Sequence, residues 1–122
     1  MAKLTIEDLL AKKDRQEAKS KTVYLDGLGG ELEVRRIPLA RYMEYTDKAG
    51  SGDAQAALEA QCEMIYACCP ILHNQQLQEA YECREPLEIV EKVLQDNLAD
   101  MNALTVAIAS LYGMDLEGEL KN

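Results

Sequence analysis

The chain has no phenylalanine and no tryptophan, and its six tyrosines account for the whole aromatic content of 5%. A core must therefore be built from Leu, Ile, Val, Ala, Met and Cys, which pack well between helices. Few rigid rings remain on which a nucleic-acid base or a flat cofactor could stack. At 122 residues, of which 48% are hydrophobic, the chain is long enough for one domain and too short for two.

Histidine is almost absent, since His73 is the only one. A catalytic thiol–imidazole pair would need His73 beside Cys68 or Cys69, but Cys69 continues the apolar stripe of a helix, so we favour packing. Together with Cys68, Cys69 and His73, the residues Cys62 and Cys83 could nominally form a zinc site. However, no Cys-x2-4-Cys pair is present, and the side chains of adjacent helical cysteines point about 100° apart. We expect no catalytic, metal or cofactor site, and four free thiols.

Positive charge is also scarce, with 13 basic against 22 acidic residues and a net charge of -9. A negative surface repels phosphate and anionic lipid, so we expect neither nucleic acid nor membrane as a partner. No run of about 18 apolar residues occurs, and the first residues lead into an amphipathic segment, so we expect a cytoplasmic location. The acidic residues of the last helices should form a solvent-facing surface; they are Glu88, Glu91, Asp96 and Asp100.

The first helix is predicted by its start signals. Thr5 and Asp8 form a capping box, in which each side chain can accept a hydrogen bond from the other residue's amide. The helix continues through Leu9 and Leu10 into a lysine-rich stretch before Ser20. It is too short to be stable alone in water, so we expect it to dock on another surface.

The only strand signal comes next. Residues 22–25 and 32–35 alternate apolar with polar, which places their apolar side chains on one face: Val23, Leu25, Leu32 and Val34. Gly27, Gly29 and Gly30 between them should supply the positive φ of a hairpin turn. No Gly-Lys-Ser/Thr follows them, so they do not form a phosphate loop. A lone hairpin is unstable, so its apolar face should lie against helices.

Apolar spacings of three and four predict five further helices, bounded by prolines, glycines and capping residues. Asp53 should begin one helix that Pro70 ends, Asn74 should cap the next, and Asp96 or Asn97 should cap the last. Their predicted inward-facing residues are Leu39, Tyr42, Met43 and Thr46; Leu58, Cys62, Ile65 and Cys69; Leu77, Ala80 and Tyr81; Leu87, Val90, Val93 and Leu94; and Leu98, Met101, Leu104, Ile108 and Leu111. The predicted fold is α+β and mostly helical, with one N-terminal β-hairpin packed against five to six short helices. Residues 1–113 form a single domain in this prediction, and residues 114–122 form an acidic, flexible tail.

Candidate partner-binding residues lie on the second helix. Tyr42, Met43 and Tyr45 fall within four residues, and at 3.6 residues per turn they cannot all face inward. Tyr and Met at a surface are favoured contact residues. Ordinary packing against the hairpin is the alternative, and the sequence does not decide between the two.

Six short segments carry a resemblance to a known family through their order and spacing. They are Leu4-Thr5-Ile6-Glu7-Asp8-Leu9-Leu10, Arg35-Arg36-Ile37-Pro38-Leu39, Cys69-Pro70-Ile71-Leu72, Leu77-Gln78-Glu79-Ala80-Tyr81, Glu85-Pro86-Leu87-Glu88-Ile89-Val90-Glu91-Lys92-Val93-Leu94 and Leu111-Tyr112-Gly113. In this order they resemble the XkdN-like tail assembly chaperones of long-tailed phages and prophages of Gram-positive bacteria. The resemblance spans almost the whole chain.

This resemblance implies a function without catalysis. A chaperone of this family is expected to bind the tape measure protein and keep it soluble while the tail tube assembles. The resemblance leaves open whether it also binds the tail tube protein. One alternative is a minor structural tail component retained in the virion, such as a tube-end or completion protein. Another is an enzyme or redox protein that uses Cys68 or Cys69 with His73.

Overall fold

The computed structural model describes residues 3–13 and 20–114. This part of the chain holds six α-helices, one 3-10 turn (Pro70–His73) and one antiparallel β-hairpin, which confirms the mostly helical α+β fold. In chain order the elements are α1 (Ile6–Lys13), β1 (Ser20–Leu25), β2 (Gly30–Arg35), α2 (Leu39–Ala49), α3 (Ala54–Cys68), α4 (Gln75–Ala80), α5 (Glu88–Leu94) and α6 (Leu98–Leu111). None of these helices is long and apolar enough to cross a bilayer. The tail prediction falls outside the described residues except for Met114.

The hairpin lies with its apolar face on α6, as its alternation predicted. Val23 pairs with Leu32 across the two strands. Leu25 and Val34 are fully buried, and Val23 and Leu32 are half-buried against the same core. Contacts with α6 come from both strands, so the two-stranded sheet gains the helical support that it needs.

The hairpin turn corrects two predictions. Among the glycines of the turn only Gly29 has positive φ, at 65°. Gly27 and Gly30 do not adopt the left-handed backbone conformation. Gly27 instead permits close approach, because a Cβ at that position would meet the side chains of Asn97 and Asp100. Asp100, predicted to face solvent, is only 4% exposed because the turn covers it, and its Oδ2 has no hydrogen-bond partner among the described residues.

The centre of the core lies between the two longest helices, α3 and α6, with the hairpin and α5 closing it. Aliphatic and sulfur side chains fill it, as expected for a chain without Phe or Trp. Its largest fully buried side chains are Leu25, Ile65, Leu72, Ile89, Met101, Leu104, Ile108, Val34, Val90, Cys68 and Cys69. Burial of this apolar surface is the main favourable contribution to folding.

Three predicted helix starts have the expected side-chain caps. Asp53 Oδ1 accepts a hydrogen bond from the Gln55 amide (3.0 Å) at the start of α3. Asn74 caps α4 through the Leu77 amide, and Asn97, rather than Asp96, caps α6. These caps satisfy amides that have no partner within the helix.

Several residues predicted to face inward are exposed instead. Most lie near the ends of their helices, beyond the reach of the central core, or on the rim of the α2–α3 pair. They are Leu39, Met43, Leu58, Ala80, Tyr81 and Leu98. On α2 the inward face is centred on Tyr42 and Tyr45, which turns Met43 outward.

Helix α1 has its predicted cap but not its predicted docking surface. The Thr5 amide donates to Asp8 Oδ2 (2.9 Å) and the Asp8 amide donates to Thr5 Oγ1 (3.2 Å). Within the described part of the chain α1 has no extensive contact with another element. Its apolar side chains are 52–73% exposed; they are Leu4, Ile6, Leu9 and Leu10.

Candidate protein-binding groove

An open apolar groove runs between α2 and α3. Its volume is about 620 Å³, within the range of roughly 300–1,000 Å³ that is usual for ligand pockets. One residue of α6, Thr105, and Met114 just beyond that helix complete it. The lining residues are Tyr42, Met43, Tyr45, Thr46, Ala49, Ala54, Ala57, Leu58, Ala60, Gln61, Met64, Thr105 and Met114.

Small residues create the groove. The break at residues 50–52, where Gly52 has a φ of 90°, turns α3 back along α2. On the facing surface α3 presents Ala54, Ala57 and Ala60 at intervals of three residues. Alanine fills little of the space between two helices, so a channel remains where larger side chains would close it.

All three predicted partner-binding residues line this groove, in different degrees of exposure. Tyr42 is 4% exposed and stacks on Tyr112, with ring centroids 4.0 Å apart. Tyr45 is half-buried, and its hydroxyl accepts a hydrogen bond from Arg41 Nη2 (2.8 Å). Met43 is 55% exposed and offers its thioether to solvent. Tyr42 therefore forms part of the floor, and Met43 stands at the mouth.

Sequence reasoning missed the rest of the lining, above all Leu58, Met64 and Met114. Leu58 was assigned to the core, and no prediction was made for the inner end of α3. The spacing of the three alanines was the available signal, because small residues that recur on one helix face favour either close helix contact or a channel. Which of the two occurs depends on tertiary packing, which the spacing does not give.

The threonine and glutamine side chains in the groove donate hydrogen bonds within the chain. Thr46 Oγ1 donates to the Met43 carbonyl (3.0 Å), and Thr105 Oγ1 donates to the Met101 carbonyl (2.9 Å). Gln61 Nε2 donates to Thr105 Oγ1 (3.0 Å). No charged side chain is among the lining residues. The groove therefore presents apolar surface and suits an apolar side chain better than a polar ligand.

Burial also disfavours ionisation of Tyr42 in the floor and of Tyr112, on which Tyr42 stacks. It raises the pKa of Tyr42, with smaller contributions from Tyr112 and Cys68. Burial likewise raises the pKa of Tyr112, although the hydrogen bond that the Ile37 amide donates to its hydroxyl acts in the opposite direction. Neither hydroxyl ionises near neutral pH, so the floor carries no charge there.

Cys68, Cys69 and His73 are close in sequence but have different surroundings: the two thiols are buried, and the imidazole contacts Tyr66. Burial raises the pKa of Cys62 and Cys68 to about 11 and that of Cys69 to about 12. His73 stacks on Tyr66, and its Nε2 donates to the Tyr66 carbonyl (2.6 Å). No hydrogen bond joins the imidazole to a thiol in the described ranges. A thiol with a raised pKa is a poor nucleophile near neutral pH.

The four cysteines are free thiols. Between residues 3–13 and 20–114 no group of three His, Cys, Asp or Glu side chains lies close enough together to hold a metal ion. Comparison with protein-family models, with curated proteins and with solved structures gives no match for this chain.

Proposed function

We propose that this chain is a non-enzymatic phage tail assembly chaperone of the XkdN-like kind. In this proposal it binds the tape measure protein in the host cytoplasm and keeps it soluble while the tail tube assembles. Two independent arguments support the proposal: the resemblance in the order of short segments, and the apolar groove between α2 and α3.

The groove is the observation that carries the proposal. Its α2 wall runs from Tyr42 to Ala49, a rise of about 10 Å or two helical turns. A groove of this length fits the apolar face of an amphipathic helix, which presents side chains at i, i+3 or i+4 and i+7. A long helical polypeptide such as a tape measure protein offers many such faces.

The methionines in the lining suit a partner with many similar segments. Met43 and Met114 are exposed at the mouth, while Met64 is buried below them. Methionine is unbranched and flexible, so it can repack around side chains of different shape. Binding surfaces of this kind accept a range of apolar helices rather than one sequence.

Co-expression with a tape measure protein of the same genome tests the proposal. With the unchanged chain, the tape measure protein should become soluble and co-purify. The double substitution M43E and L58E places two carboxylates in the groove, so it should abolish co-purification. The matched control L98E changes an exposed leucine outside the groove lining, so it should behave like the unchanged chain.

Circular dichroism should show all three chains folded alike, so that a lost interaction reports on the groove. A tape measure protein that stays insoluble, or becomes soluble without association, would contradict the proposal. The alternative, a minor tail component, predicts that the chain is present in purified particles. The mostly helical fold favours the chaperone, because tube-end and completion proteins are expected to be richer in β-structure.

A further inference from the structure

Among the described residues, helix α1 exposes an apolar face that has no extensive contact with another element. Leu9 and Leu10 lie three and four residues after Ile6, so the three side chains form a stripe on one face of the helix. All three are more than half exposed. A helix of eight residues is marginal in water without packing, so α1 needs a surface that covers this stripe.

The groove and α1 match in length and in chemistry. Eight helical residues rise about 12 Å, and the α2 wall of the groove rises about 10 Å. The stripe offers aliphatic side chains and no charge, and the groove lining offers apolar side chains and no charge. Each surface can therefore cover the exposed apolar side chains of the other.

The sequence segments that contain the two surfaces have opposite charge balances. The N-terminal segment 3–21 has six basic and four acidic residues, although the whole chain has a net charge of -9. The α2–α3 segment 39–68 has the opposite balance, with two basic and five acidic residues. Attraction between these segments would favour encounter of α1 with the groove of an acidic molecule.

We propose that α1 of one copy docks in the α2–α3 groove of a second copy. Exchange of the two helices is reciprocal, so it closes as a symmetric dimer with two identical contacts. The second copy is the occupant because, among the described residues, α1 has no extensive contact with the helices that form its own groove. In the absence of a foreign helix, α1 thereby covers apolar surface that would otherwise face water.

The self-association does not depend on what else the groove binds. The competition between α1 and a tape measure helix, described next, rests on the proposed function. If the groove also holds the tape measure protein, α1 competes with that helix, and the dimer is the waiting form of the chaperone. Removal of the α1 stripe should then tighten tape measure binding.

Disulfide trapping between two different chains tests the proposal. One chain carries L9C and the other carries M43C, and both carry C83A because Cys83 is the half-buried native thiol. The other three native thiols are buried and have raised pKa values, so they should react slowly. The control pairs L9C with L98C, which is exposed and lies outside the groove lining.

The expected result is a mixed-chain disulfide between L9C and M43C in about tenfold excess over the control pair. Sedimentation equilibrium of the otherwise unchanged chain should show a dimer that L9E with L10E weakens by about tenfold or more. Equal trapping of both pairs would overturn the proposal. So would a chain with both L9C and M43C that forms the bond only within itself. Disulfide trapping of L9C with M43C without any binding of the tape measure protein would support the dimer and contradict the proposed function.

Discussion

At the scale of single residues, the contact between the hairpin turn and α6 depends on the absence of a side chain at Gly27. Gly27 lies against Asn97 and Asp100, the cap and the first turn of α6. Asp100 is buried by this contact, and its position near the helix N-terminus is favourable for a negative charge. A carboxylate, an amide and a glycine thus join the hairpin to the helix that supports it.

Substitution G27A should destabilise the fold by about 1–3 kcal/mol, because the new methyl group would displace a buried carboxylate or disrupt a helix cap. The control is G30A, where nothing lies within 4 Å of the added Cβ and φ is not positive. It should be close to neutral. Urea unfolding of both variants measures the difference, and equal destabilisation would contradict this account of Gly27.

At the scale of elements, side-chain caps determine where the helices begin. Asp53 accepts hydrogen bonds from the amides of Gln55 and Ala56, so it satisfies two donors at the start of α3. This helix forms one wall of the groove and half of the central core. Its start therefore affects both stability and the candidate site.

Substitution D53A should lower the free energy of unfolding by about 1 kcal/mol through loss of the cap. The control D47A removes a carboxylate from an exposed position on α2 and should change stability by less than about 0.5 kcal/mol. The measurement is chemical unfolding followed by circular dichroism. Equal effects would mean that the Asp53 hydrogen bonds contribute nothing.

The sequence predicted the positions of helices and strands better than it predicted which helix faces are buried. Caps, prolines and strand alternation are local signals, so the hairpin, the Asp53 start and the Pro70 stop were all predicted correctly. The inward face of α2 was predicted wrongly at Met43, because its direction depends on the stack of Tyr42 against the distant Tyr112. The groove residues Tyr42, Met43 and Tyr45 were proposed from composition, but the channel itself depends on how two helices pack.

At the scale of the whole molecule, buried cysteines help to fill a core that has no Phe and no Trp. Cys62, Cys68 and Cys69 are at most 3% exposed. Burial disfavours the thiolate, which is why their pKa values rise from 9.0 to about 11 or 12. The folded state therefore holds these protons at a pH where the unfolded chain has lost them.

Stability should fall as pH rises from about 9 to 11. The unfolded thiols ionise near pH 9 and the folded ones above about 11, so in this window only the unfolded state is stabilised by loss of the proton. Each thiol contributes a slope of up to about 1.4 kcal/mol per pH unit, which fades to almost nothing below about pH 8. Urea unfolding at several pH values measures the slope. It should be shallower for C69A, and an unchanged slope in C69A would contradict the effect.

The claim on which the functional account depends is that the α2–α3 groove receives an apolar helix. Methyl NMR of the five methionines tests it directly, because Met43, Met64 and Met114 line the groove while Met101 is buried in the core outside the lining. Titration with amphipathic helical segments of the tape measure protein should shift the methyl signals of Met43 and Met114 and leave Met101 unchanged. Saturating segments that leave all the groove methyl signals in place would contradict the account.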